Sequence, residues 1–123
     1  MSTLARRDTA PEMVLRRALF ASGRRYRVQY RVPGLARRRV DVAFPRRRLA
    51  VFVDGCFWHG CPIHCHLPAT NPDWWQWKLD RNLARDRDTD FQLDQLGWRV
   101  VRVWEHESAE QMVEKVEVEL ARS

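Results

Sequence analysis

Leu49-Ala-Val-Phe-Val53 is the longest uninterrupted apolar run in the chain. Five residues are far too few to cross a bilayer. They suit a central β-strand covered on both faces, and that requires a sheet with helices on either side. The flanking sequence supplies the rest. Val40-Asp-Val-Ala-Phe44 precedes the run through Pro45-Arg-Arg-Arg48 and predicts a hairpin. Tyr26, Val28 and Tyr30 alternate with Arg27, Gln29 and Arg31 in a strand period of two, and Trp98–Trp104 forms a further strand.

Helix signals bracket these strands. Thr9-Ala-Pro-Glu12 has the form of a capping box with Pro in the first turn, and Val14, Leu15, Ala18 and Leu19 follow as an apolar stripe. Asn71-Pro-Asp73 opens a long helix with Trp75, Leu79 and Leu83 at a spacing of four, its periodicity weakening to a break at 86–90. Ser108-Ala-Glu-Gln111 caps a last helix whose Met112, Val116 and Leu120 face inward. The expected fold is α/β: one domain over residues 1–123, with a mixed sheet flanked by helices.

The charge is lopsided. Residues 1–48 carry fourteen Arg against three acids, whereas residues 49–123 carry eight Lys or Arg against thirteen acids. Arginine's planar fork pairs phosphate bidentately, so a basic half of this kind points to nucleic acid. The N-terminus has no apolar stretch resembling a signal peptide, and a cytoplasmic protein without membrane attachment is expected.

Two features carry chemistry. Asp54-Gly-Cys-Phe-Trp-His-Gly-Cys-Pro-Ile-His-Cys-His66 gathers Cys56, Cys61, His64 and Cys65 in a segment with little apolar material, which a tetrahedral Zn²⁺ would hold. His64 and Cys65 are adjacent and compete for one position. His106, beyond the last strand, is the available fourth ligand. Four protein ligands would leave no open position, so the zinc is structural rather than catalytic. His59, within the same loop, titrates near neutral pH and suits a general base.

The second feature is Asp41, a carboxylate inside an apolar strand between the triplets Arg37–Arg39 and Arg46–Arg48. Such a group is costly unless paired or metal-bound. It reads as a Mg²⁺ ligand at a phosphodiester, with the Arg side chains, Arg37, Arg38 and Arg39 among them, on the flanking backbone. Asp54 is close enough in sequence to reach the same ion. Phe57, Trp58 and Trp75 border the loop, where large rings can wedge between base pairs.

At Asp54-Gly-Cys-Phe-Trp-His59, Pro68-Ala-Thr-Asn71, Arg85-Asp86-Arg87 and Gly97-Trp-Arg-Val100, and upstream at Arg7-Asp-Thr-Ala10 with Glu12, the sequence resembles the very-short-patch repair endonuclease family. The resemblance implies a restriction-endonuclease-like fold and a Mg²⁺-dependent nick 5′ of the mismatched T in a T:G mispair, leaving a 5′-phosphate and a 3′-hydroxyl. It assigns Asp41 and the Val53 carbonyl to Mg²⁺, His59 to water activation and Glu12 to site organisation. Phe57, Trp58 and Trp75 become intercalating rings, and Cys56, Cys61, Cys65 or His64, and His106 the zinc ligands. A monomer acting on mismatched duplex DNA, alongside mismatch-repair proteins, is the expectation. Where the family carries His, this chain has Asp54, and Val40 replaces the usual Pro before the aspartate. The N-terminal extension that helps grip DNA is absent, so weaker binding is expected. The alternatives are a restriction-type endonuclease on matched DNA and a non-catalytic zinc-stabilised DNA-binding module.

Overall fold

The computed structural model describes residues 9–35, 37–55 and 69–122. Helix α1 (Ala10–Ala21) leads into strand β1 (Arg27–Tyr30) and the hairpin of β2 (Val40–Phe44) and β3 (Leu49–Asp54). Helix α2 (Pro72–Gln95), strand β4 (Arg99–Trp104) and helix α3 (Ala109–Ala121) follow. The sheet runs β1-β2-β3-β4. Neighbours pair antiparallel except β3 with β4, which are parallel from Leu49–Arg99 to Asp54–Trp104. The apolar run thus occupies an inner strand, as its composition requires. Among the described residues, no helix is long and apolar enough to cross a membrane.

Each sheet face has its own core. On one side Leu15 and Leu19 of α1 and Met112, Val116 and Leu120 of α3 pack on Val42, Phe44, Val51, Val101 and Val103. On the other, Leu93 of α2 joins Val32, Leu35, Val40, Ala43, Ala50, Phe52 and Trp98. Both predicted capping boxes form, Thr9 with Glu12 and Ser108 with Gln111. Val14, expected in the α1 stripe, is exposed instead.

The break expected at 86–90 does not occur, and α2 is continuous for 24 residues. Its apolar pattern fades there because that turn is held by arginines. Arg38 donates to Asp88 and Thr89, and Arg102 pairs with Asp86 and Asp90. Helical geometry survives without apolar periodicity because ion pairs fix the same face.

Candidate active site

Strict alternation along β2 would place Val40 on the face of Val42 and Phe44. Val40 instead joins the opposite core, so the pattern is interrupted once, at Asp41. The β2–β3 ladder ends at Val42–Val51, and the next available donor, the Val53 N–H, donates to Asp41 Oδ2 at 2.9 Å. On the other side, Gln29 of β1 has a left-handed backbone (φ 46°), rare for a residue inside a strand. Irregularities of this kind re-aim a side chain, and here the side chain is a carboxylate.

The re-aimed Asp41 meets Glu12. That residue is 2% exposed and already accepts from the Thr9 N–H at 2.7 Å, with the Gln29 carboxamide donating at 3.4 Å. Glu12 therefore serves twice, as the N3 half of the capping box and as a buried negative charge beside Asp41. Burial pushes the Asp41 carboxyl up to about 7; the Val53 N–H pulls it down, and the carboxylates of Glu12 and Asp54 raise it further. Two oxygen-donor carboxylates with excess negative charge have the donor chemistry of a hard divalent cation rather than of a thiolate-seeking one. Glu12 and Asp41 are the described side chains that could hold such an ion. Among the described residues no group of three or more His, Cys, Asp or Glu side chains forms a metal cage.

Asp54, 4% exposed, has its carboxylate taken up by Arg102, whose Nη1 donates at 3.0 and 3.2 Å. Arg102 also reaches Asp90 through Nε and Nη2, at 3.2 and 2.6 Å, and lies 4.5 Å over the Phe52 ring. One guanidinium thereby joins the end of β3 to the middle of α2. Asp54 contributes charge to the Asp41 site, but its oxygens are turned toward Arg102.

Sequence neighbours separate in space. The hairpin carries Arg46–Arg48 to the far end of β2 and β3, so this triplet does not flank Asp41. Arg38 braces α2 through Asp88 at 2.6 Å and Thr89 at 2.9 Å, while Arg37 and Arg39 are exposed. Arg38 also lines a cleft of about 310 Å³ with Lys78, Arg81, Asn82 and Arg85 of α2. Next to that cleft Trp74 and Trp77 are about half exposed, with Lys78 and Arg81 over their respective rings. Trp75 is half-buried and packs edge-on against Trp74, at 4.7 Å between centroids. Exposed rings next to cations form a surface for bases and phosphates. Sequence reasoning singled out Trp75, and Arg85 as part of the family motif, but missed Trp77, Lys78 and Arg81. Their signal was an aromatic-basic alternation at i, i+4 on the solvent side of a helix. His106 lies in the turn after β4, its ring stacked on Trp104, the residue paired with Asp54. Cys56, Phe57, Trp58, His59, Cys61, His64 and Cys65 fall outside the described residues.

A carboxylate pair at the diverging end of a β-hairpin, in a chain whose helix α2 is cationic and aromatic, suits the cutting of a nucleic-acid backbone. The family described as DNA mismatch endonuclease Vsr matches residues 1–66. The type II nicking enzyme V.NaeI of Lentzea aerocolonigenes is 46% identical over 94% of this chain and 71% of its own length. The type II nicking enzyme V.XorIIP of Xanthomonas oryzae is 40% identical over 87% of this chain and 77% of its own. The DNA mismatch endonuclease Vsr of Escherichia coli is 41% identical over 85% of this chain and 66% of its own. The chain belongs to the Vsr family of DNA mismatch endonucleases. It is a DNA endonuclease.

Proposed function

We propose that this endonuclease nicks one strand of duplex DNA 5′ of the mismatched T in a T:G mispair, using Mg²⁺ at Asp41. The observation that carries the reading is the crowding of Asp41: a strand-end carboxyl pushed up to about 7 beside two further acids. Crowding of this kind destabilises the ionised carboxylate when no cation is near. It prepares the site for a counter-charge. Asp41, Glu12 and the Val53 carbonyl would hold the ion, which when bound would supply positive charge at the scissile phosphate. His59 takes the proton from the attacking water. The P–O3′ bond breaks, leaving a 3′-hydroxyl and a 5′-phosphate. Glu12 holds its place through the capping box, so the first turn of α1 sets the spacing of the acids.

Selectivity is assigned to the aromatic residues. A mispair is cheaper to unstack than a matched pair, and rings from Phe57, Trp58 and the start of α2 would enter the opened step. The names of the relatives, mismatch endonuclease and nicking enzyme, support single-strand cutting. The mixed sheet with helices on both faces is consistent with a restriction-endonuclease-like scaffold. A structural Zn²⁺ held by Cys56, Cys61, Cys65 or His64, and His106 completes the proposal.

The test is a strand-specific nicking assay on end-labelled T:G and matched C:G duplexes, with Mg²⁺ or EDTA, beside Asp41→Asn. A Mg²⁺-dependent nick confined to the T strand and lost in the variant is expected. Cleavage of both strands of matched DNA would replace the repair reading with a restriction-type activity.

A further inference from the structure

At the end of the sheet away from Asp41, a cleft of about 560 Å³ is lined by Arg46, Arg47, Arg48, Gly97, Arg99 and Arg122. Three elements build it: the 3₁₀ turn Pro45–Arg47 with Arg48, the entry to β4, and the end of α3. β3 spans six residues between this cleft and Asp54, roughly 20 Å at strand rise, so the two ends cannot share one phosphate. Among the described residues two acids answer these five arginines: Glu119, which pairs with Arg99 at 3.2 Å and Arg122 at 3.4 Å, and Glu117, which lies within the field of Arg47. Arg47 also donates to the Leu120 carbonyl at 2.8 Å, while Arg46 and Arg48 are exposed.

The backbone favours this concentration of charge over comfort. Arg48 is left-handed (φ 51°), where glycine would be cheaper. Gly97 lies beneath it: a Cβ there would meet the Arg48 guanidinium at 3.1 Å, so the absent side chain leaves the cation its place. Five like charges gathered against two acids suit a polyanion. The lining contains no aliphatic or aromatic residue to form the apolar centre of a protein interface. Planar forks matched to phosphate are what remains.

We propose that this end of the sheet is a second DNA-binding site, holding the phosphate backbone of a duplex segment other than the one being cut. It binds without reading bases, and lets one molecule hold two stretches of DNA. Arg46 and Arg48 carry the site, and Glu119 moderates it by competing for Arg99 and Arg122. The inference needs only the DNA endonuclease assignment, not the T:G reading.

Sedimentation velocity of the 123-residue chain with a matched 12-base-pair duplex at low salt tests it. That duplex, about 40 Å long, is a straight rod far below the persistence length of about 150 base pairs and cannot bend around the molecule to follow both ends of the sheet. Two duplexes per protein are expected for wild type, and one for Arg46→Gln/Arg48→Gln. Glu119→Gln should strengthen the second binding event several-fold. Arg17→Gln/Arg25→Gln, the same charge change on an exposed part of the α1 region, should keep two duplexes. A single duplex on wild type overturns the proposal, as does retention of the second duplex by Arg46→Gln/Arg48→Gln. Equal loss in the Arg17/Arg25 control would show general basicity and also overturn it. Loss of the first binding event in any of these proteins counts against the catalytic edge, a separate result.

Discussion

Replacing Asp41 with Asn removes a negative charge from beside Glu12 and Asp54 while keeping a side-chain oxygen for the Val53 N–H. The folded carboxyl sits at about 7 against an ordinary 3.8, so between those values the folded protein binds a proton that the unfolded chain has released. Stability therefore falls as pH rises from 4 to 7, and the cost is complete above 7. Three units at about 1.4 kcal/mol each set a ceiling of about 4 kcal/mol. Asp41 is partly exposed, and solvent screening reduces that to about 1–3 kcal/mol. Metal-free Asp41→Asn should thus melt about 4–12 °C higher than metal-free wild type at pH 8, with the gap closing by pH 4. The assay is thermal unfolding by circular dichroism in EDTA from pH 4 to 8, repeated with Mg²⁺. Mg²⁺ should stabilise wild type and leave the variant unmoved, and nicking should be lost in the variant alone. A variant that melts at or below wild type at pH 8, or a gap that does not change with pH, would refute the electrostatic account.

Arg102→Ala removes the guanidinium that pairs with Asp54, Asp86 and Asp90 and should cost about 3–5 kcal/mol in urea denaturation, whereas Arg102→Lys should recover part of this. Leu93→Ala empties the α2-facing core and should cost about 2–5 kcal/mol by the same measurement, without changing the pH dependence assigned to Asp41. Thr9→Ala removes a capping acceptor and should cost about 1 kcal/mol in urea, and nicking should fall further than stability because Glu12 loses its fixed position. Prolonged treatment with a strong zinc chelator should lower the melting temperature and release one zinc per chain by elemental analysis, if the loop after Gly55 is metal-held as proposed.

Strands, caps and the central run were legible because each is a local decision: alternation, a Thr or Ser three residues before an acid or amide, five apolar residues in a row. Asp41 was legible as a charge where none belongs. The same reasoning applied to Arg102, the one charge between Val101 and Val103, would have found the partner of Asp54, since both stand out against apolar neighbours. What sequence could not give was direction. The interruption at Asp41 and the left-handed Gln29 turn the carboxylate toward α1, and neither follows from a period of two. Nor could it show that Arg37–Arg39 and Arg46–Arg48, both within seven residues of Asp41 in the chain, go to different ends of the hairpin. The continuity of α2 was hidden because its polar stretch is held by arginines from distant segments.

The parallel pairing of β3 with β4 has a kinetic consequence. Leu49 and Arg99 are neighbours in the sheet but fifty residues apart in the chain, whereas β2 and β3 are joined by a four-residue turn. Closing the longer loop costs about 2 kcal/mol more in chain entropy than closing the hairpin. Glu12, Gln29, Asp41 and Val53 all lie within the first 53 residues, in contacts that need only the shorter closures. Arg102 reaches Asp54 only once the distant strand docks. Substitutions in β1 and the hairpin should therefore slow folding, while those in β4 should chiefly hasten unfolding. The chain assembles its acidic pair early, and the guanidinium that neutralises its third acid arrives last.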